Sequence, residues 1–302
     1  MRALANRKLP ALLALVFTAW GASSVRAASF QADSQATVEL SAINTRVSDP
    51  HTDTGTTGAA ADSHAELSAT FHNGSASAYA SASPGALHAY ASGLATSSLA
   101  YSGAANTSGL ASAAYADSFM LHVAGYDAGT VAWVTATVTI EGDVLQHDGA
   151  GDYRFAQRWW ASVTAGSSLS SYTWSGYDSN FAFCDACSNH STLGTKTIGF
   201  YAVIGAMNGI SMSLGTENGI SMTNGEPGFA SGTTDLGHTF SWNGITSVTV
   251  NGTPASTYSA LSAETGFDFV AGYTAAVPEP ASAALWAAGL MALPLLRRRS
   301  RG

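Results

Sequence analysis

The chain is short of cysteine, of positive charge and of catalytic motifs, and each shortage removes a class of function. Two cysteines in 302 residues are too few for a disulfide-stapled scaffold, so the fold must rest on a hydrophobic core. Of the twelve basic residues, Arg2, Arg7, Lys8 and Arg26 crowd one end and Arg297, Arg298, Arg299 and Arg301 the other. Between residues 28 and 277 only Arg46, Arg154, Arg158 and Lys196 stand against nineteen acids, a net charge of −15. A surface this acidic repels phosphate backbones, which argues against nucleic acid and favours neutral polymers or divalent cations. No Gly-x-Ser-x-Gly, phosphate-binding P-loop or His-Glu-x-x-His motif occurs, so the common hydrolase, nucleotide-binding and zinc-protease signatures are missing. Paired carboxylates for glycoside hydrolysis are set in space rather than in sequence, and Glu141, Asp143, Asp148 and Asp152 are the first candidates. Surface acids on an exported domain explain them more simply, and no enzymatic activity is expected.

The start of the chain has the grammar of a secretory signal. A basic segment, the apolar stretch Leu9 to Trp20 and the small residues closing Val25-Arg26-Ala27 predict a signal helix over 1–27, with cleavage after Ala27. The exported region, 28–276, shows no helix of ordinary length. Short strand-like runs recur at intervals of roughly ten residues between Gly, Asn and Asp, the pattern of an all-β sandwich or jelly roll. Length alone allows one large β domain or two small ones.

Along this region, Ala36 to Ile43 reads as a strand. Ser48 to Gly55 reads as a loop, because Asp-Pro and Thr-Gly punctuate it and nothing apolar repeats. Its Asp49 and Asp53 make calcium the one candidate cofactor, although no ligand spacing of a known calcium loop accompanies them. Ala65, Leu67, Ala69 and Phe71 alternate up to an expected turn at Asn73-Gly74. Residues 75–117 then carry an internal repeat, with Tyr79, Tyr90, Tyr101 and Tyr115 each flanked by small residues. Glycines and Pro84 break any helix there, so the repeat predicts short strands in which small residues pack closely and tyrosines supply bulk. Phe119 to Val123 and Val131 to Ile140 outline a hairpin turning at Gly125 to Gly129. Asn208-Gly209, Asn218-Gly219 and Asn243-Gly244 each read as a hairpin turn. Thr197 to Ile204 reads as a strand buried on both faces, and Phe267 to Tyr273 marks a last strand.

Two features stand out chemically. Cys184 and Cys187 form a CxxC pair; outside the cytoplasm oxidation is the default, so a local disulfide is expected, closing a loop too small to gain much chain entropy. Trp159, Trp160, Trp174 and Tyr177 could contact a glycan, since aromatic faces stack on sugars and nearby arginines stack on indoles. Adjacent tryptophans on a strand point to opposite faces, so one of Trp159 and Trp160 belongs to the core and the other is free to be exposed.

The end of the chain, 277–302, has three parts in order: Pro278-Glu279-Pro280, the apolar segment 281–296, and the basic cluster Arg297, Arg298, Arg299 and Arg301. The apolar segment would make ~24 Å of transmembrane helix, able to span a bilayer if the arginines snorkel and stop it on the cytoplasmic side. This arrangement resembles the PEP-CTERM sorting signal of bacteria that make exopolysaccharide. The resemblance implies that an exosortase, a membrane cysteine protease, reads Pro278, Glu279 and Pro280 and passes the domain to the cell surface or matrix. The expected role is structural or adhesive, in association with exopolysaccharide, and the rival is a lectin-like carbohydrate-binding module.

Overall fold

The computed structural model describes residues 27–40, 43–69, 72–98, 104–179, 189–190, 192–222 and 227–274. The helices expected over 1–27 and 281–296, the Pro278-Glu279-Pro280 motif with its arginines, and Cys184 and Cys187 lie outside them. Among the described residues the chain is all β, in two sheets packed face to face. Sheet A runs β10 (Asn189–His190), β9 (Ser170–Ser179), β8 (Tyr153–Gly166), β12 (Met207–Met222), β6 (Ala105–Val123), β1 (Ser29–Leu40) and β2 (Thr45–Gly55), and β15 (Tyr258–Ser262) continues the line of β1 beside the end of β6. Sheet B runs β11 (Gly194–Val203), β7 (Val131–Ala150), β13 (Gly228–Val250), β5 (Ala86–Ser97), β4 (His72–Ser83) and β3 (Ala59–Ser68), with the short β14 (Thr253–Pro254) on β13.

The inward residues divide the sandwich into two halves. On β3, β4 and β5 they are mostly alanine, among them Ala61, Ala78 and Ala91, and the small Ala32, Ala36, Gly109, Ala111 and Ala113 of β1 and β6 face them. Faces so small let the sheets close below the usual ~10 Å spacing; Cα atoms of β1 and β4, of β4 and β6 and of β5 and β6 lie within 8 Å of one another. At Gly109 the approach is backbone to backbone, because a Cβ there would lie 2.8 Å from the carbonyl oxygen of Ser77. On β7, β8, β11 and β13 the interior is filled instead by Trp159, Phe200, Phe240 and Trp242, with Phe119 and Phe269 wedged among them. Phe119 meets Phe200 edge to face at 6.3 Å and Trp242 meets Phe269 likewise at 5.8 Å, while the Trp242 indole N–H donates to the Phe269 carbonyl at 2.9 Å. The sandwich is a wedge, thin where alanines face each other and thick where aromatics do.

A buried polar seam crosses between the sheets. Gln157 Nε2 donates to Asn218 Oδ1 at 3.2 Å and to the Gln146 carbonyl at 2.7 Å, and Asn218 Nδ2 donates to the Gly232 carbonyl at 2.6 Å. Gly232 makes room for it, since a Cβ there would lie 2.7 Å from Asn218 Oδ1.

Several sequence readings change accordingly. Ser48 to Gly55 is strand β2, not a loop: Pro50 is tolerated because β2 is an edge strand whose outer side forms no ladder. Asn73-Gly74 lies inside β4, where the missing Cβ admits Val38 of the facing sheet. Asn208-Gly209 and Asn218-Gly219 both fall within the single strand β12, and Asn243-Gly244 sits at an irregularity of β13. The expected hairpin of 119–123 with 131–140 is instead a crossover, because β6 and β7 belong to different sheets. β11 is an edge strand with Thr197 and Tyr201 exposed, not one buried on both faces. Phe267 to Tyr273 forms turns and a single bridge, with β15 as the last strand.

Both edges of sheet B are capped by groups from sheet A. At β3, Asp53 Oδ2 accepts the Ala60 N–H and Asp49 Oδ2 the His64 N–H, each at 2.9 Å. At β11, the Tyr172 hydroxyl donates to the Gly199 carbonyl at 2.6 Å and accepts its N–H at 3.1 Å, and the Ser167 N–H reaches the Tyr201 carbonyl at 2.8 Å.

Candidate functional site

Strand pairing alone builds a depression on the outer face of sheet A. The registers align three cross-strand rows: Gln31, Ala114, Ser213, Ser162 and Thr173; Asp33, Ser112, Gly215, Trp160 and Ser175; and Gln35, Leu110, Glu217, Arg158 and Tyr177. The members from β6 and β12 are mostly small, so the middle of the face sinks. A trough of about 460 Å³ results. Gln31, Asp33 and Gln35, backed by Pro50 and Thr52 of β2, form one wall, and Arg158, Trp160 and Thr173 form the other.

Trp160 leans into the trough from β8. Its indole fills the space that a Cβ on Gly215 would occupy, with Cζ2 only 2.0 Å from that position, so a side chain there would displace the ring. The Arg158 guanidinium sits 5.2 Å from the ring centroid, a cation–π distance, and pairs with the Glu217 carboxylate on β12. Across the trough Asp33 accepts from Gln31 Nε2 at 2.7 Å and from the Thr52 hydroxyl at 2.8 Å. His51, which also lines the trough, is paired with Asp49 at 2.9 Å, so the charged groups there are already engaged, and the floor presents the hydroxyls of Ser112 and Ser213 beside Leu110 and Ala114.

The four aromatic residues singled out in the sequence separate by strand parity. Trp160 and Tyr177 face outward on neighbouring strands of sheet A. Trp159 is 1% exposed and belongs to the core, against Gly176. Trp174 also faces inward, stacked on Tyr172 at 6.4 Å and edge to face with Phe240, and has no place on the outer surface. Gln31, Asp33, Ser112, Gly215 and Glu217 were not singled out, because four separate stretches of chain meet here and no single stretch carries a motif.

The acids considered for hydrolysis do not gather at this trough. Glu141, Asp143 and Asp148 are exposed along β7 and Asp152 in the turn after it. Among the described residues no group of three or more His, Cys, Asp and Glu side chains is placed to hold a metal ion. Asp49 and Asp53, the calcium candidates, are spent on the backbone of β3, and the His64 N–H holds the Asp49 carboxyl below its ordinary value.

The one deeply buried carboxylate among the described residues is a clasp. Asp117 accepts from the Tyr115 hydroxyl at 2.7 Å, the Ser262 hydroxyl at 3.0 Å, the Thr265 hydroxyl at 2.8 Å and the Ser118 N–H at 2.6 Å. It ties the C-terminal segment to β6. Burial, reinforced by the Asp117 charge, pushes the Tyr115 hydroxyl well above the usual tyrosine value.

Comparison with family models, with curated proteins and with solved structures finds no match to this chain.

Proposed function

We propose that the chain is an exported surface or extracellular-matrix protein. In this reading an exosortase sorts and cleaves it at Pro278-Glu279-Pro280, and the β sandwich it delivers plays a structural or adhesive part in association with exopolysaccharide. The observation that carries the proposal is the order of the last segment: a Pro-Glu-Pro motif, an apolar stretch one helix long, then four arginines. The character of the sandwich supports it, since a domain with both edges of one sheet capped and a carboxylate clasp suits a protein that must persist outside the cell.

The test is deletion of 278–302 followed by fractionation of cells and matrix. Sorting predicts that the truncated protein fails to accumulate on the surface and in the matrix, while the intact chain appears there in shortened form. Normal delivery of the truncated protein defeats the proposal. A lectin-like role is the second reading, favoured by one observation, the outward Trp160 in a trough edged by hydroxyl and amide side chains.

A further inference from the structure

We propose that the trough on the outer face of sheet A binds one strand of a neutral polysaccharide, with Trp160 as the stacking platform; this rests on the lectin-like reading and gives it a site and a ligand class. The shape points to a polymer, because the depression is open along the sheet and crosses β2, β1, β6, β12 and β8. Neighbouring strands stand ~4.8 Å apart, so the four intervals span roughly 19 Å, room for several sugar units.

The lining chemistry points to sugar. Carbohydrate rings offer apolar C–H faces edged by hydroxyls, and the trough offers an indole edged by Ser112, Ser162, Ser213, Thr173, Gln31 and Gln35. The charges select against ionic polymers. Arg158 is committed to Glu217, His51 is paired with Asp49 at 2.9 Å, and Asp33 already accepts two hydrogen bonds, so the trough holds no spare cation for a uronate or sulfate. The surrounding domain, at −15 between residues 28 and 277, repels polyanions further. Arg158, held by Glu217, lies against the Trp160 ring where it leans over Gly215.

The experiment is affinity electrophoresis of the full-length chain in detergent through gels containing dextran, mixed-linkage β-glucan, galactomannan or alginate. At least one neutral polymer retards the unmodified protein, and alginate does not. Trp160→Ala weakens that retardation about tenfold, the equivalent of about 1.4 kcal/mol. Ser112→Trp, which fills the floor from an outward position, abolishes it. Trp133→Ala, on the outer face of sheet B, leaves it unchanged. Circular dichroism confirms that each variant is folded, and Ser112→Trp carries the test if Trp160→Ala is not. Retardation by none of the neutral polymers, preference for alginate, or folded Trp160→Ala and Ser112→Trp proteins that bind like the unmodified chain would each overturn the proposal. None of these outcomes touches the delivery of the protein in cells, so the sorting reading stands or falls separately.

Discussion

The alanine half and the aromatic half of the sandwich solve one problem in opposite ways. Both bury the inward face of two sheets, yet one does so by bringing backbones together and the other by filling the space between them. In the alanine half each side chain buries little apolar area, and stability must come from close, extended contact across many small groups. In the aromatic half a few rings each bury a large area, and the sheets stand apart to hold them. The two halves should therefore fail under opposite substitutions: loss of bulk in the thick half, gain of bulk in the thin one.

The largest effect is expected for Trp242→Ala. It removes a fully buried indole and its bond to the Phe269 carbonyl, a loss of about 3–5 kcal/mol in chemical denaturation. Next comes Gly109→Val. A branched side chain meets backbone rather than a yielding side chain, and the expected cost is about 1–3 kcal/mol, with the largest chemical-shift changes on β4 and β5. If the same valine were neutral, the thin half would be looser than its Cα separations indicate. The third test concerns alkali. Because burial holds the Tyr115 hydroxyl protonated when the unfolded chain ionises near pH ~10, its contribution is full below that pH and is lost as pH rises through and beyond it. Tyr115→Phe should flatten the alkaline fall in stability while losing about 1 kcal/mol at neutral pH through the missing bond to Asp117. The smallest effect belongs to the rim. Asp49→Ala with Asp53→Ala should leave the melting point nearly unchanged but speed hydrogen exchange at the amides of Ala60 and His64; unchanged protection would mean that those carboxylates do not cap the edge.

The β class was legible because inward and outward residues alternate over long strands, as in β6, where every odd position from Ala105 to Val123 is buried. The tight packing of the repeat was legible too, although the tyrosines are not equivalent. Tyr79 and Tyr90 pair on the outer face of sheet B, whereas Tyr115 points inward and stacks on Phe30 at 5.0 Å. Strand β2 was illegible because an edge strand exposed along most of its length needs no apolar alternation. The Asn-Gly pairs misled for a related reason. Gly74 and Asn218 answer to the opposite sheet, through Val38 and the Gly232 carbonyl, while Asn208 sits at the start of β12 and clamps the reversal before it by bonding the backbone of Val203 and Ala206. Asn251-Gly252, where both residues do have positive φ, is a true turn. The trough was invisible for want of register, since Asp33, Ser112, Gly215 and Trp160 are brought into line only by pairing four strands from distant parts of the chain.

The capped rims have a consequence at the scale of many molecules. A strand edge that offers free N–H and C=O groups invites its neighbour to continue the sheet, and proteins concentrated at a surface meet that invitation constantly. Here Asp49 and Asp53 on one rim and Tyr172 and Ser167 on the other occupy those groups from within. Copies of this domain can crowd together without joining through the rims of sheet B, which leaves edge-to-edge pairing to the open side of β2 in sheet A.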